Sequence, residues 1–296
     1  MSRFTFAALA SFVLSAAAAA QQVPGRDLLD FPVGLLAEPA PLSMQMTAGL
    51  WNPATSALGP HRRSAIGFAG LTTDNDQGVR IDMLGGAYQA RPGITASMSF
   101  TQASVSDIPR TLTDPQSKGN EIPYGTTLLS AGVATTRRNV TVGLAGRYRW
   151  GSLDADRAGA FSLDGGVIVD RLAGTPVRLA VSTFLLSPSR TESTTLFAAA
   201  DLPLLQRDST FAVRAGYSQS RTDGRGREDY VFGTSEYRRI DLSAGVSRTM
   251  MYGNVNSRMR LGLGLHYAGY NIAIGREDGV GGFGASYQFL FTRVFP

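Results

Sequence analysis

Gly284-Ala285-Ser286-Tyr287-Gln288-Phe289-Leu290-Phe291-Thr292-Arg293-Val294-Phe295-Pro296 is the stretch that decides how the rest of the chain reads. Tyr287, Phe289, Phe291 and Phe295 share one parity, and Ser286, Gln288 and Thr292 the other. A strand projects alternate side chains to opposite faces, so one face is aromatic and the other polar. A soluble sheet would bury the aromatic row under a further layer. A barrel wall in hydrocarbon instead keeps that row outward and turns the polar row toward a wet interior. The segment is predicted to be a membrane-barrel strand with its aromatics facing lipid.

Composition agrees with that reading. Charged residues make up 17% of the 296-residue chain, well below the ~25% of ordinary soluble domains. Glycine is abundant at 34 residues and cysteine is absent, which excludes disulfides and thiolate metal sites. At the front, Met1-Ser2-Arg3, an apolar run from Phe4 to Ala16, and Ala18-Ala19-Ala20 before Gln21 read as a cleaved signal peptide over 1–20. No cysteine follows the cleavage region to carry a lipid anchor. Beyond it, no segment stays apolar for the length of a membrane helix. A membrane form must therefore be a closed sheet, because unpaired backbone groups are too costly in hydrocarbon. The net charge is +5, but Lys118 is the single lysine, the arginines are scattered, and export removes nucleic acid as a partner.

Working back from the C-terminus, strand-like segments fall at 64–71, 79–88, 94–101, 126–136, 140–150, 160–170, 177–186, 194–202, 210–219, 238–248, 258–267 and 282–295. This predicts an all-β, transmembrane, antiparallel up-and-down barrel of about twelve strands, within a range of about ten to fourteen. Residues 21–63 precede it as a periplasmic or lumenal plug-like segment, and 64–296 form the barrel. Tight turns at Arg91-Pro92-Gly93, Arg137-Arg138-Asn139 and Ala173-Gly174-Thr175 alternate with long polar connections that include 102–123 and 220–237, as expected of short periplasmic turns and longer outer loops.

Alternation sorts the faces. Val140, Val142, Leu144, Tyr148 and Trp150 oppose Arg147 and Arg149; Met259, Leu261, Leu263 and Leu265 oppose Arg258, Arg260 and His266. The same sorting predicts Arg80, Asp82, Asp164, Asp170, Arg178, Arg214, Arg239 and Asp241 to line the lumen. An arginine on the lipid face at mid-membrane costs about 2 to 4 kcal/mol, so charge should mark the inside. The segments 126–136 and 194–202 alternate too poorly to sort.

This texture resembles a bacterial outer-membrane β-barrel, whose last strand ends on or near Phe as a signal to the barrel-insertion machinery; here Pro296 follows Phe295. In the pre-barrel segment, Gly49-Leu50-Trp51-Asn52-Pro53-Ala54 resembles the Asn-Pro-Ala element of FadL-like fatty-acid transporters and their PorV-like relatives in secretion systems. The resemblance implies fourteen strands, a pre-barrel segment folded into the lumen as a plug around Trp51, Asn52, Pro53 and Ala54, and lateral exit of hydrophobic solutes through the wall. It also implies an outer-membrane location in a Gram-negative-type bacterium. Physically, Asn-Pro starts a turn and biases Asn52 away from helix.

Other motifs give no catalytic or cofactor site. Gly279-Val280-Gly281-Gly282-Phe283-Gly284 copies a dinucleotide pattern but leads into a strand, leaving no helix N-terminus for a pyrophosphate. Close backbone packing at barrel closure is its reading. His61 and His266 are the only histidines, too few for a multi-histidine metal centre. Tyr267 and Ala268 follow His266, where an outer-membrane phospholipase would place its serine. No enzyme, cofactor or metal is expected. Three functions stay open: passive or facilitated transport of small hydrophobic solutes, a narrow anion-leaning pore drawing on the inward arginines, and a PorV-like scaffold with secretion-complex partners. The expected surroundings are outer-membrane lipid.

Overall fold

A computed structural model describes residues 23–45, 49–58, 64–74, 78–106, 108–110, 121–187, 192–207, 210–251, 254–279 and 284–295. The expected signal peptide, His61, Lys118, Pro296, the core of the 102–123 loop and the middle of the Gly279–Gly284 run lie outside the described residues.

Fourteen antiparallel strands close into one barrel. They are β1 (Ser64–Thr73), β2 (Val79–Arg91), β3 (Ile94–Val105), β4 (Tyr124–Arg137), β5 (Val140–Leu153), β6 (Asp156–Val169), β7 (Arg178–Phe184), β8 (Thr195–Arg207), β9 (Phe211–Thr222), β10 (Gly226–Tyr237), β11 (Ile240–Met251), β12 (Asn254–Tyr267), β13 (Tyr270–Glu277) and β14 (Ser286–Phe295). Each pairs with its sequence neighbours, and β1 pairs with β14 to close the wall. No sheet edge is left open, as hydrocarbon requires.

The twelve predicted segments are all strands, and the count is corrected by β10 and β13. β10 lies within 220–237, predicted to be a polar loop; the β9–β10 connection is only 223–225. The run Arg227-Glu228-Asp229 mimics a solvated loop because each charge meets a partner on its own face: Arg227 pairs with Asp229 outside, and Glu228 with Arg258 and Arg260 inside. β13 spans only 8 residues, and just two residues separate it from β12. In the intervening turn Ala268 and Gly269 take φ of 49° and 82°, the positive pair that a two-residue type I′ hairpin needs.

Both barrel ends, Ser64 and Phe295, meet at one rim, where they are register partners. That terminal rim also carries the two-residue turns at 92–93, 138–139, 238–239 and 268–269, while the opposite rim carries the longer connections 106–123, 185–194 and 278–285. Gly279 and Gly284 flank the last of these so closely that a Cβ on Gly279 would stand 2.0 Å from the Gly284 carbonyl. The outer wall is a band of exposed Ile, Leu, Val, Met, Phe and Tyr side chains. Tyr287, Phe289 and Phe295 belong to it, and Phe291 shares their face, while Ser286, Gln288 and Thr292 are buried on the inward face. A wall with this much exposed hydrocarbon is stable only against lipid or detergent.

Candidate functional site: the barrel interior

The described part of the segment preceding β1 packs against the inner side of the wall. Residues 23–43 are largely buried, as are 50–56, and their partners are inward-facing wall residues. Pro53–Ala57 form one 3-10 turn capped by Asn52, whose backbone is extended at φ −141°, as a residue before proline should be. The Asn52 side chain makes two local bonds: Oδ1 accepts from Ala54 N at 3.0 Å, and Nδ2 donates to the Pro41 carbonyl at 2.7 Å. Its seat is cut from glycines. A Cβ on Gly166 of β6 would stand 1.8 Å from Asn52 Oδ1, and one on Gly143 of β5 would stand 2.3 Å from Ala54 N. Trp51 packs on Phe184 at 5.0 Å and edge-on to Phe197 at 6.2 Å, donates from Nε1 to the Val33 carbonyl, and accepts at its own carbonyl from Ser182. Trp51, Asn52, Pro53 and Ala54 are thus brought together as one buried unit.

The wall around this segment differs by sector. Along β14 and β1 to β4 the inward side chains include Leu290, Leu71, Val79, Ile81, Met83 and Leu128, which form one core with Leu28, Leu29, Val33, Leu35, Leu36 and Leu50 of the segment. From β5 to β13 the inward row carries ion pairs. Arg149 grips Glu192 with two bonds of 2.9 and 2.7 Å, and also donates to the carbonyls of Val23 and Pro24. Arg26 of the segment reciprocates, donating to the Ser193 carbonyl and to Thr195. Arg147, with its side chain fully buried, has Nε 2.7 Å from Asp164 Oδ2, too poorly aligned for a hydrogen bond, and its guanidinium lies over the Phe184 ring at 4.8 Å. Asp201 is held between Arg178 and Arg214, both at 2.7 Å. Arg258 and Arg260 share Glu228 and Glu277 over 2.5 to 3.1 Å. His266 pairs with Asp241, and Asp170 lies on the inward parity just past the end of β6.

Arg147, Arg149, Asp164, Arg178, Arg214, Asp241, Arg258, Arg260 and His266 therefore lie on the inward parity of the wall, while three residues do not. Arg80 and Asp82 pair with each other on the outer face, in the row of Leu84 and Tyr88, with Arg80 73% exposed. The parity of β2 is inverted because its inward residues, Val79, Ile81 and Met83, meet an apolar segment rather than water. Near the end of a strand, the outward pair reaches polar surroundings. Arg239 lies in the β10–β11 turn with its guanidinium over Tyr267, an outward residue. It does not pair with Asp241.

Sequence reasoning missed Arg26 of the segment, and it missed Glu192, Asp201, Glu228 and Glu277, the carboxylates that neutralise inward arginines. Glu228 and Glu277 lie in the two unrecognised strands and Asp201 in the poorly alternating β8. The signal available was the parity of Glu228 with Tyr230 and Phe232, both buried.

No protein-family description matches the sequence, and no curated protein does. Solved structures do match. The Pseudomonas putida toluene transporter TodX superposes with a TM-score of 0.59 at 10% identity, over 87% of this chain and 95% of that one. A TodX monoaromatic hydrocarbon channel with a deltaS2 mutation gives 0.57 at 12% identity, over 88% and 96%. At this identity the likeness is one of fold.

Proposed function

We propose that the chain is an outer-membrane barrel for passive or facilitated transport of small hydrophobic solutes, with 21–63 acting as a lumenal plug. The observation that carries this reading is the apolar patch that Leu71, Val79, Ile81, Met83, Leu128 and Leu290 make among the inward side chains of β1, β2, β4 and β14, where a water-filled pore would be polar throughout. A solute that partitions into hydrocarbon gains contacts there once the plug shifts; a hydrophilic one loses its hydration and gains none. The fold shared with TodX supports the same class. Pairing of the inward arginines by Asp164, Glu192, Asp201, Glu228 and Glu277 argues against an anion-leaning pore, since paired charge sets little net field. The chain's role is passage, not catalysis.

Uptake of a monoaromatic hydrocarbon and of a sugar, by cells with and without the protein, tests this. Faster uptake of the hydrocarbon alone is expected. Equal acceleration of both solutes would overturn the hydrophobic reading. In planar bilayers, a barrel starting near Ser64 should conduct ions better than the full mature chain, and unchanged conductance would remove the plug.

A further inference from the structure

The terminal rim carries cations that the lumen does not use. Arg238 and Arg239 make up the β10–β11 turn, and Arg293 stands on the outer face of β14 opposite Tyr270 of β13. Each guanidinium lies against an aromatic ring at the lower edge of the apolar band: Arg238 over Tyr237 at 5.3 Å, Arg239 over Tyr267 at 5.1 Å, and Arg293 over Tyr270 at 3.9 Å with Phe295 at 5.7 Å. Among the described residues none of the three forms an ion pair. The carboxylates nearest in sequence, Glu236 and Asp241, lie on the inward parity, and Asp241 is bound to His266. Stacking uses the face of a guanidinium and leaves its in-plane N–H groups free. A planar fork of such donors matches two oxygens of a phosphate.

From this geometry we infer that the rim formed by β10 to β14 is a binding site for the phosphate of an anionic phospholipid, phosphatidylglycerol in class. The inference rests on the outer-membrane reading above. The ligand is lipid rather than free phosphate because the site continues directly into exposed Leu263, Leu265, Ile272 and Ile274, so a molecule bearing both phosphate and hydrocarbon gains on both counts. A net-negative headgroup is favoured over a zwitterionic one because, among the described residues, no carboxylate faces outward along this rim to receive an ammonium.

The test is lipid retention by the full mature chain in vesicles or detergent, comparing phosphatidylglycerol with phosphatidylcholine of the same tails. Each arginine near a charged lipid surface is worth about fivefold in binding. R238Q/R239Q/R293Q should therefore lower retention of phosphatidylglycerol about tenfold or more and leave phosphatidylcholine unchanged. R157Q/R221Q/R248Q, which removes cations near the opposite rim that form no ion pair among the described residues, should keep the preference. The proposal is overturned by equal retention of the two lipids in the unaltered chain, by equal loss in the two triple variants, or by inorganic phosphate displacing the lipid as well as phosphatidylglycerol does. Failure of the unaltered chain to enter any bilayer would overturn the membrane reading itself, and this site with it.

Discussion

The two sectors of the inner wall hold the same segment by different physics. Along β14 and β1 to β4 the contact is largely an apolar core, non-directional and tolerant of small shifts, beside the hydrogen bond that Gly34 N donates to Gln288. Along β5 to β13 it is a set of hydrogen bonds to the segment's backbone from residues such as Arg149 and Ser182, beside ion pairs within the wall, with glycine seats that admit one backbone position. Buried pairs contribute little net stability against apolar replacements of equal volume, but breaking one is expensive. The apolar sector therefore supplies most of the affinity for the segment, while the charged sector fixes its register. It follows that the charged sector should respond sharply to single changes and the apolar sector gradually.

The largest effect is expected at the glycine seat. Gly166→Val puts a side chain where Asn52 Oδ1 now stands, 1.8 Å from the Cβ position, whereas at Gly264 the nearest atom is 3.4 Å away. Gly166→Val should expose 21–63 to protease while the barrel stays heat-modifiable, and Gly264→Ala should leave the segment protected. Protection retained in Gly166→Val would mean that the seat does not set the register.

Next comes the Arg149–Glu192 pair. Arg149→Met alone strands a carboxylate that is 1% exposed and should cost about 3 to 5 kcal/mol, read by urea titration of the folded barrel. Arg149→Met with Glu192→Leu should recover most of that loss. If the double variant is as unstable as the single, the contacts of Arg149 with Val23 and Pro24 carry the energy rather than the charge.

The same contrast explains what could be read from sequence. Where the interior is polar, as along β5 and β12, alternation separates Arg147, Arg149, Arg258, Arg260 and His266 from the aliphatic row, because only one face can hold charge in hydrocarbon. Where both faces are apolar, as in β2, the rule has nothing to sort, and the outward Arg80 and Asp82 misled it. The Asn-Pro-Ala element marked the segment, but its glycine partners sit far away in β5 and β6, in strands where a glycine has several other uses. Strand number failed at β10 because paired charges within a wall have the composition of a loop.

A smaller, graded change is expected in the apolar sector. Ile81 of β2 is fully buried in the core shared with the segment. Ile81→Val should cost about 0.5 to 1.5 kcal/mol without exposing 21–63 to protease. Release of the segment by this substitution would reverse the assignment of roles, making the apolar sector the one that fixes register.

The smallest effect belongs to Glu38, in the segment between the two sectors. Burial pushes its carboxyl above the ordinary glutamate range; the hydrogen bond from Ser43 and the charge of Arg178 pull it down in part, while Asp241 pushes it further up. Because the folded value is raised, seating costs nothing extra in acid, where the group is neutral in both states. As pH climbs from the ordinary glutamate value through the raised one, holding Glu38 in place means holding a poorly hydrated charge, and the segment should loosen. Protease cleavage within 21–63 should accordingly quicken with rising pH in the unaltered protein, by less than the Gly166 substitution produces, and become flat in Glu38→Gln. An unchanged slope in Glu38→Gln would mean that Glu38 does not carry the pH response.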